Sequence, residues 1–455
     1  MSFPRYPEYK ESGVEWLGEV PSHWGLQKLK YIGSFVGGGT PSRERPDYWN
    51  GNIPWVSPKD MKSERITETE EAITMDGLAN STATLIPPQQ VLMVVRSGIL
   101  KHTIPVAIND VPVALNQDVK AISFSTHFCY SSYFLRWVQG LNDSLLSAWA
   151  KQGATVESLE SEYLKNTVIA LPTLAEQNAI TAFLDRETAK IDELVAEQQR
   201  LIELLKEKRE AVISHAVTKG LNPDAPMKPS GVEWLGEVPA HWEIHRIKHF
   251  VSSLEQGWSP QCEGTPAHDD EWGVLKVGCV NGGTFNPLEN KLLPAELDPI
   301  PSLSVRAGDL LVSRANTREL VGSAAVPKQD YPRLMVCDKI YRIRLNNKIC
   351  LSEFACRYLA ADMARQQIEL AATGASSSML NIGQSGILEL AIAVPPLSEQ
   401  SAIVVHLDIE FGNFDALIVE AQHAIDLLQE RRSGLISAAV TGQIDVRGIA
   451  GKAAA

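Results

Sequence analysis

Residues 12–24 read SGVEWLGEVPSHW and residues 230–242 read SGVEWLGEVPAHW, identical at twelve of thirteen positions. Chance does not place such a match twice in one chain. The chain is therefore a tandem duplication, its first copy spanning about 1–220 and its second about 221–455. That period is far longer than a solenoid repeat, so two whole domains were copied.

Each copy carries a long helical stretch. Leu174 to Val217 is about 44 residues, and at 1.5 Å per residue one helix of that length spans roughly 65 Å, more than the width of a compact domain of this size. Its apolar residues fall at Leu184, Ile191, Leu194, Leu201, Leu205 and Val212, with Val195 and Ile202 widening the stripe. This 3-4 spacing is a coiled-coil seam. The stretch Leu397 to Val440 repeats it at an offset of 223, with Leu407, Phe414, Leu417, Leu428 and Leu435 at matching positions. Two seam positions are charged in both copies: Glu187 and Lys208 become Glu410 and Arg431. An antiparallel pair sets Glu187 against Arg431 and Lys208 against Glu410, whereas a parallel pair sets like against like at a cost in energy. The charge pattern predicts an antiparallel pair.

Composition bounds the rest. The chain has 455 residues, room for two or three domains, and its 44% apolar content is ordinary for a globular protein. No run approaches the roughly 18 apolar residues that cross a bilayer, and the opening MSFPRYPEYKESG lacks a basic-then-apolar signal pattern, so a cytoplasmic, non-membrane protein is expected. Cys129, Cys262, Cys279, Cys337, Cys350 and Cys356 form no C-x-x-C pair and match no histidine spacing, which points to reduced core thiols and no metal. The net charge of −13 argues against a simple polybasic nucleic-acid binder. Residues 1–172 nevertheless carry 15 basic against 18 acidic residues, and 221–395 carry 16 against 20, so local clusters can still face phosphate.

Between the landmarks the copies diverge. The first runs from a glycine-rich turn, FVGGGTPSRERPDYWNGNIPWVSPKDM, through short apolar runs such as VLMVVRSG (91–98) and VKAISF (119–124) to a helical YFLRWVQGL. The second gives LEQGWSPQCEG, GDLLVSRANT (308–317), KIYRIRL (339–345) and the helical SEFACRYLAADMARQQIEL. Element order is alike while residues are not, and both read as mixed α/β domains. Arg96 and Arg314 align at an offset of 218, which has grown to 223 by the helices. Each domain closes on a polar loop, 151–159 or 372–380, then a short strand and proline, Pro172 or Pro395–Pro396, at a helix start. Gly220 and Gly442 are plausible stops, and a proline-rich linker, 221–231, separates the copies.

Catalytic signatures are missing from the sequence. There is no G-x-x-x-x-G-K-[ST] loop, and Gly37-Gly38-Gly39 reads as a turn because proline and polar residues follow where a dinucleotide fold would open a helix. Neither the Asn/Asp-Pro-Pro-aromatic motif of adenine methyltransferases nor a nucleophile elbow appears. Glu289-Asn290-Lys291 lacks the upstream Pro-Asp of a nuclease and reads as a solvated turn. The duplicated tryptophans, Trp16/Trp234 and Trp24/Trp242, read as packing each domain onto the helices. Divergent polar positions are the better candidates for reading a nucleic acid: Thr40, Ser42, Arg43, Arg45, Lys59, Arg96, Lys101 and His102 in the first copy, and Gln261, Lys276, Arg314, Asn316, Arg318 and Lys328 in the second. Arg and Lys suit guanine edges or phosphates, and Asn or Gln suits adenine.

Two diverged domains, each led by SGVEWLGEVP-x-HW and followed by LPTLAEQ or VPPLSEQ and a long helix, together with GGTPS, IPWVSPKDM and VSRANT, resemble the specificity subunit of type I restriction-modification enzymes. The likeness runs over essentially the whole chain. It implies an α+β architecture: two mixed α/β target recognition domains, each followed by a long helix, the helices forming an antiparallel coiled coil with pseudo-two-fold symmetry. The parts are then a first recognition domain at 1–172, a helix at 173–220, a second domain at 221–395, a helix at 396–442 and a tail at 443–455. It further implies that each domain reads one half of a bipartite, asymmetric site in double-stranded DNA, and that the helices set the spacer and dock two methyltransferase subunits. S-adenosylmethionine would sit on those subunits, and ATP and Mg on two restriction subunits, with no cofactor and no catalysis in this chain. A rod of roughly 65 Å suits readers one or more turns of B-DNA apart, a turn being about 34–36 Å. The competing readings are a fused methyltransferase or nuclease, which lacks its motifs, and a two-domain scaffold on a coiled-coil arm that binds no DNA.

Overall fold

The computed structural model describes residues 3–151, 156–262, 264–376 and 379–448. The polar loops expected at 151–159 and 372–380, and the tail expected at 443–455, lie partly outside the described residues. The long helices run Leu174–Lys219 and Leu397–Val440. Thr173 starts the first with a capping box: its hydroxyl accepts from the Glu176 amide at 3.3 Å while the Glu176 carboxylate accepts from the Thr173 amide at 3.2 Å. Gly220 at φ 75° and Gly442 at φ 78° follow the helix ends, a backbone region that glycine enters without penalty.

Two compact units divide the chain, and the division cuts both helices in the middle. One contains Met1–Gln198 with His423–Ala455, the other Gln199–Gln422. Each unit is thus one domain plus half of each helix. In the first unit Glu176 lies 3.9 Å from Arg447 and Asp192 bonds Arg432 at 2.9 Å. In the second, Glu399 approaches Gly220 and Asp415 bonds Arg209 at 2.6 Å. Within either unit, residue numbers rise along one helix as they fall along the other, so the pair is antiparallel.

The charged partners differ from those expected. Glu187 bonds Arg186 and Lys190 of its own helix, both at 3.0 Å, and neither Glu187–Arg431 nor Lys208–Glu410 is among the ion pairs of the described residues. The cross-helix pairs are Asp192–Arg432 and Arg209–Asp415, a register displaced by more than a turn. The seam explains this. Leu184, Ile191 and Leu205 are buried, but Leu194 and Leu201 stand 45% and 42% exposed, and Val195 and Ile202 are half-buried in their place. The seam passes through Thr188 and Arg209, and a leucine one position before a seam residue points about 100° away from it. On the second helix Leu407 and Phe414 are buried and Leu417 is 47% exposed.

Both units repeat one topology. The main sheet of the first orders its strands Gly33–Gly37, Val119–Phe124, Val91–Val94, Val106–Asn109 and Arg65–Ile66, antiparallel except at the last edge. That of the second is Val251–Gln256, Ile340–Leu345, Leu310–Ser313 and Ala324–Ala325, antiparallel throughout. The closing strands Val168–Leu171 and Ala391–Val394 pair with Gly25–Lys28 and Glu243–Arg246, just after the duplicated segment. Domain and helices share one core in each unit. Trp24, Tyr133, Phe134, Trp137 and Trp149 pack with Phe183, Leu184, Ile436 and Val440, and Trp242, Phe354 and Tyr358 pack with Leu407, Phe411, Ile213 and Val217. At about 1.5–3 kcal/mol for each large buried side chain, neither half-helix separates from its domain without large loss.

The duplicated residues are the anchors of this core. His23 meets Glu176 at 2.8 Å and His241 meets Glu399 at 2.8 Å. Gln177, fully buried, accepts from the Tyr130 amide and donates to the carbonyls of Phe128 and Pro172, while Gln400 accepts from Leu351 and donates to Ile349 and Pro395. Residues 443–448 are no loose tail: Ile444 and Val446 are buried, and the Asp445 amide donates to the Pro4 carbonyl at 2.8 Å. The cysteines are free, and burial pushes the Cys129 and Cys350 thiols up to about 12. Among the described residues no helix is long and apolar enough to cross a membrane.

Candidate nucleic-acid interface

A few of the divergent polar residues, Thr40 and Arg96 in one unit and Arg314, Asn316 and Arg318 in the other, lie about the exit of one buried strand, Val91–Val94 or Leu310–Ser313. In the first unit a glycine turn, a strand end and a loop meet there. A Cβ on Gly38 would lie 2.2 Å from the carbonyl oxygens of Leu115 and Asn116, and the Gly39 amide donates to Leu115 at 2.8 Å, so only glycine lets the turn lie this close. Thr40 then hydrogen-bonds Gln117, and on the next residue Asp118 accepts from Arg96 Nε at 2.5 Å. Arg96 also bridges to Ser158 of the closing polar loop.

The second unit builds the same corner from other residues. A Cβ on Gly257 would collide with the Val336 carbonyl, Trp258 donates to that carbonyl at 3.0 Å, and Ser259 hydrogen-bonds Asp338. Arg314 donates from Nη1 to the Asp338 carbonyl at 3.3 Å, its amide bonds Lys339 at 2.7 Å, and its carbonyl accepts from Ile382 beyond the polar loop. Asn316 bonds Asn281 at 3.3 Å and caps the Thr317 amide, and Arg318 reaches Glu369 at 3.2 Å.

The other candidates scatter. Arg43 makes a two-point contact to Glu71 and sits over the Trp49 ring, its Cζ 3.8 Å from the centroid, while Arg45 holds Asp47 with Nε at 3.0 Å and Nη2 at 2.7 Å. The hydrogen bond from Arg43 holds the Glu71 carboxyl below its usual range, and Lys59, exposed, adds to that pull. The carbonyl of Ser42 accepts from Trp49 Nε1 at 3.1 Å. Lys101 and His102 are exposed at the end of a short turn, Gly98–Lys101. Gln261 is exposed, Lys276 is half-buried with its amide on Glu289, and Lys328 stands at the rim of a cleft with Phe285, Tyr331 and Arg357. Glu289-Asn290-Lys291 is no solvated turn: Asn290 is 2% exposed and opens an edge strand, Asn290–Leu292.

Sequence reasoning passed over Asp118 and Asp338, the loop residues that meet the two arginines. Their signal was legible, since each sits just ahead of an apolar strand at an offset of 220, between the offsets of the flanking landmarks. The electrostatic consequence is balance. Arg43, Arg45, Arg96 and Arg318 all face carboxylates in the free chain.

The sequence profile of the type I restriction modification DNA specificity domain matches residues 21–204 and 261–421, well over half of the chain. The chain belongs to this family. Among its relatives, the EcoR124I/EcoR124II specificity subunit of Escherichia coli is 35% identical over 199 residues, 43% of this chain and 46% of that one. The EcoEI specificity subunit of Escherichia coli is 30% identical over 224 residues, 49% of this chain and 38% of that one, so these two alignments span less than half of either relative. The EcoKI specificity subunit of Escherichia coli strain K12 is 21% identical over 449 residues, 94% of this chain and 90% of that one. A solved chain from work on complex assembly and conformational transition of the type I R-M system shares the fold at a TM-score of 0.68, with 17% identity over 92% of this chain and 98% of that one. The HsdS subunit of Thermoanaerobacter tengcongensis matches at 0.51, with 16% identity over 93% of this chain and 98% of that one. In this specificity-family chain the two matched segments cover most of each diverged domain, 21–172 and 261–395, with the helix parts that follow them.

Proposed function

We propose that this chain is the DNA specificity subunit of a type I restriction-modification complex, each domain reading one half of a bipartite site. The observation that carries the reading is the division of identity within each unit. Residues that anchor domain to helix are the same in both copies, whereas the corner around Arg96 or Arg314 is rebuilt from different side chains. A scaffold has no need of two unlike surfaces on one anchor; a reader of two unlike half-sites does. The helix pair sets the spacer and docks two methyltransferase subunits, which hold S-adenosylmethionine. Two restriction subunits hold ATP and Mg, and the whole works on double-stranded DNA in the cytoplasm. This chain supplies recognition and no bond-making chemistry.

The test is to map methylated adenines by single-molecule sequencing in cells that carry the chain and its partners, and in cells lacking the chain. A split motif that disappears with the chain is expected, and replacing residues 25–170 by another family member's domain should alter one half of it. A motif indifferent to the chain, or altered in both halves by that swap, overturns the reading.

A further inference from the structure

Arginine reads guanine when two of its N–H groups reach the O6 and N7 acceptors together, which requires a guanidinium aimed into the groove with one edge free. The intramolecular bonds of the candidate arginines separate those that can do so. Arg43 and Arg45 each already make two-point contacts to a carboxylate, the same satisfaction a base would offer. Arg96 and Arg314 do not. Arg318, held by Glu369 through Nε alone at 3.2 Å among the described residues, also keeps an edge free, but the position 218 residues before it is Leu100, so of these arginines Arg96 and Arg314 are the pair present in both copies. Arg96 is held through Nε alone, by Asp118 at 2.5 Å, and among the described residues Nη1 and Nη2 have no protein partner. Asp118 is itself fixed, its amide donating to Asn116 Oδ1 at 2.9 Å and its carboxylate accepting from Asn116 Nδ2 at 3.3 Å. Arg314 is held through Nη1 alone, by the Asp338 carbonyl at 3.3 Å, and among the described residues its Nε and Nη2 edge has no protein partner. Arg96 and Arg314 follow the fully buried strands Val91–Val94 and Leu310–Ser313; the Arg96 side chain is 51% exposed and Arg314 is half-buried.

We infer that Arg96 and Arg314 each read the guanine of a G·C pair, one in each half-site, and that the loop residues Asp118 and Asp338 aim them. This rests on the DNA-reading function proposed above and adds what it leaves open, namely which side chains carry base discrimination and which base they select. Asp118 is a positioning residue: it touches the arginine and not the base. Its carboxylate also offsets the guanidinium charge, so binding to phosphate alone gains little from Arg96 until a base accepts its free edge.

The experiment uses the full chain co-expressed with its methyltransferase partner and a pool of randomised duplexes, from which bound DNA is sequenced. Wild type should enrich a split motif with a G·C pair in each half. R96K and R314K keep charge and length but lose the fork, and each should lower the preference for that pair by about ten-fold or more, in one half only. D118N should relax the same pair while strengthening binding to unrelated duplex at low salt, an opposite pair of changes that damage to the fold would not produce. An unchanged motif with R96K or R314K, a half-site without any G·C pair, or weaker binding to both DNAs with D118N overturns the inference alone. No enriched motif with wild type overturns the proposed function and the inference together.

Discussion

Asp192 meets Arg432 at 2.9 Å, and Asp415 meets Arg209 at 2.6 Å; each residue of the second pair lies 223 positions from its like in the first, so one ion pair has been built twice by duplication. Both pairs belong to larger junctions. In the first unit Arg432 also lies 3.6 Å from Glu64, which bonds Arg136 at 2.7 Å, and Arg136 bonds Asp185 at 2.8 Å. In the second, Arg357 bonds Asp408 at 2.6 Å, and the guanidinium groups of Arg209 and Arg357 lie over Phe411 at 4.3 and 4.7 Å. Two arginines thus converge in both units, screened by a carboxylate in one and by an aromatic ring in the other.

Arg136 is 7% exposed and joins the first domain to its helix, so Arg136→Ala leaves Glu64 with its main partner gone. A loss of about 3 kcal/mol is expected in denaturant unfolding of the first unit. Arg432→Ala, at a pair 27% and 55% exposed, should cost about 1 kcal/mol or less, and a double-mutant cycle with Asp192→Ala should give a coupling of similar size.

The Glu64 carboxyl is pushed up by burial, but Arg136, the hydrogen bonds from Gln139 and Arg136, and Arg432 outweigh this and hold it below its ordinary value of 4.5. A carboxyl depressed in the folded state stabilises above its unfolded value and loses that contribution as pH falls through the folded one. Stability of the first unit measured from neutral pH into the range below 4.5 should therefore fall more steeply for wild type than for Glu64→Gln. Equal slopes would show that Glu64 carries no linked proton.

Gln177 and Gln400 are fully buried, each satisfying one amide and two carbonyls of the domain it anchors. Replacing either by Leu strands those backbone groups away from water, so about 3 kcal/mol or more should be lost from the unit concerned. Amide hydrogen exchange should rise around 128–130 for Gln177→Leu and around 349–351 for Gln400→Leu, without spreading to the other unit.

Leu201, Leu204 and Leu417 stand 42%, 50% and 47% exposed on the helices, outside the seam. Changing them to Ser should leave stability within about 0.5 kcal/mol. If the helices dock the methyltransferase partner, the same changes should reduce its co-purification with the chain. Full retention of partner would move docking to another surface.

Much of this was written in residue order. A repeat identical at twelve of thirteen positions requires the same fold twice, a sustained 3-4 apolar spacing requires long packed helices, and charged positions repeated at one offset require opposite directions for the pair to be favourable. Glycines at 38, 220 and 442 mark a close approach and two helix ends that no other residue makes cheaply. These are local demands of backbone geometry and burial, and local sequence states them. The tertiary structure alone decided which charges face each other, because a slide of one helix along the other changes every partner while keeping the apolar pattern nearly intact; that is why Asp192 and Arg209, not Glu187 and Lys208, make the cross-helix pairs. It also decided which arginines remain free to read. Asp118 is 22 residues from Arg96, and only the pairing of their strands brings a carboxylate to Nε and, among the described residues, leaves the far side of the guanidinium without a partner.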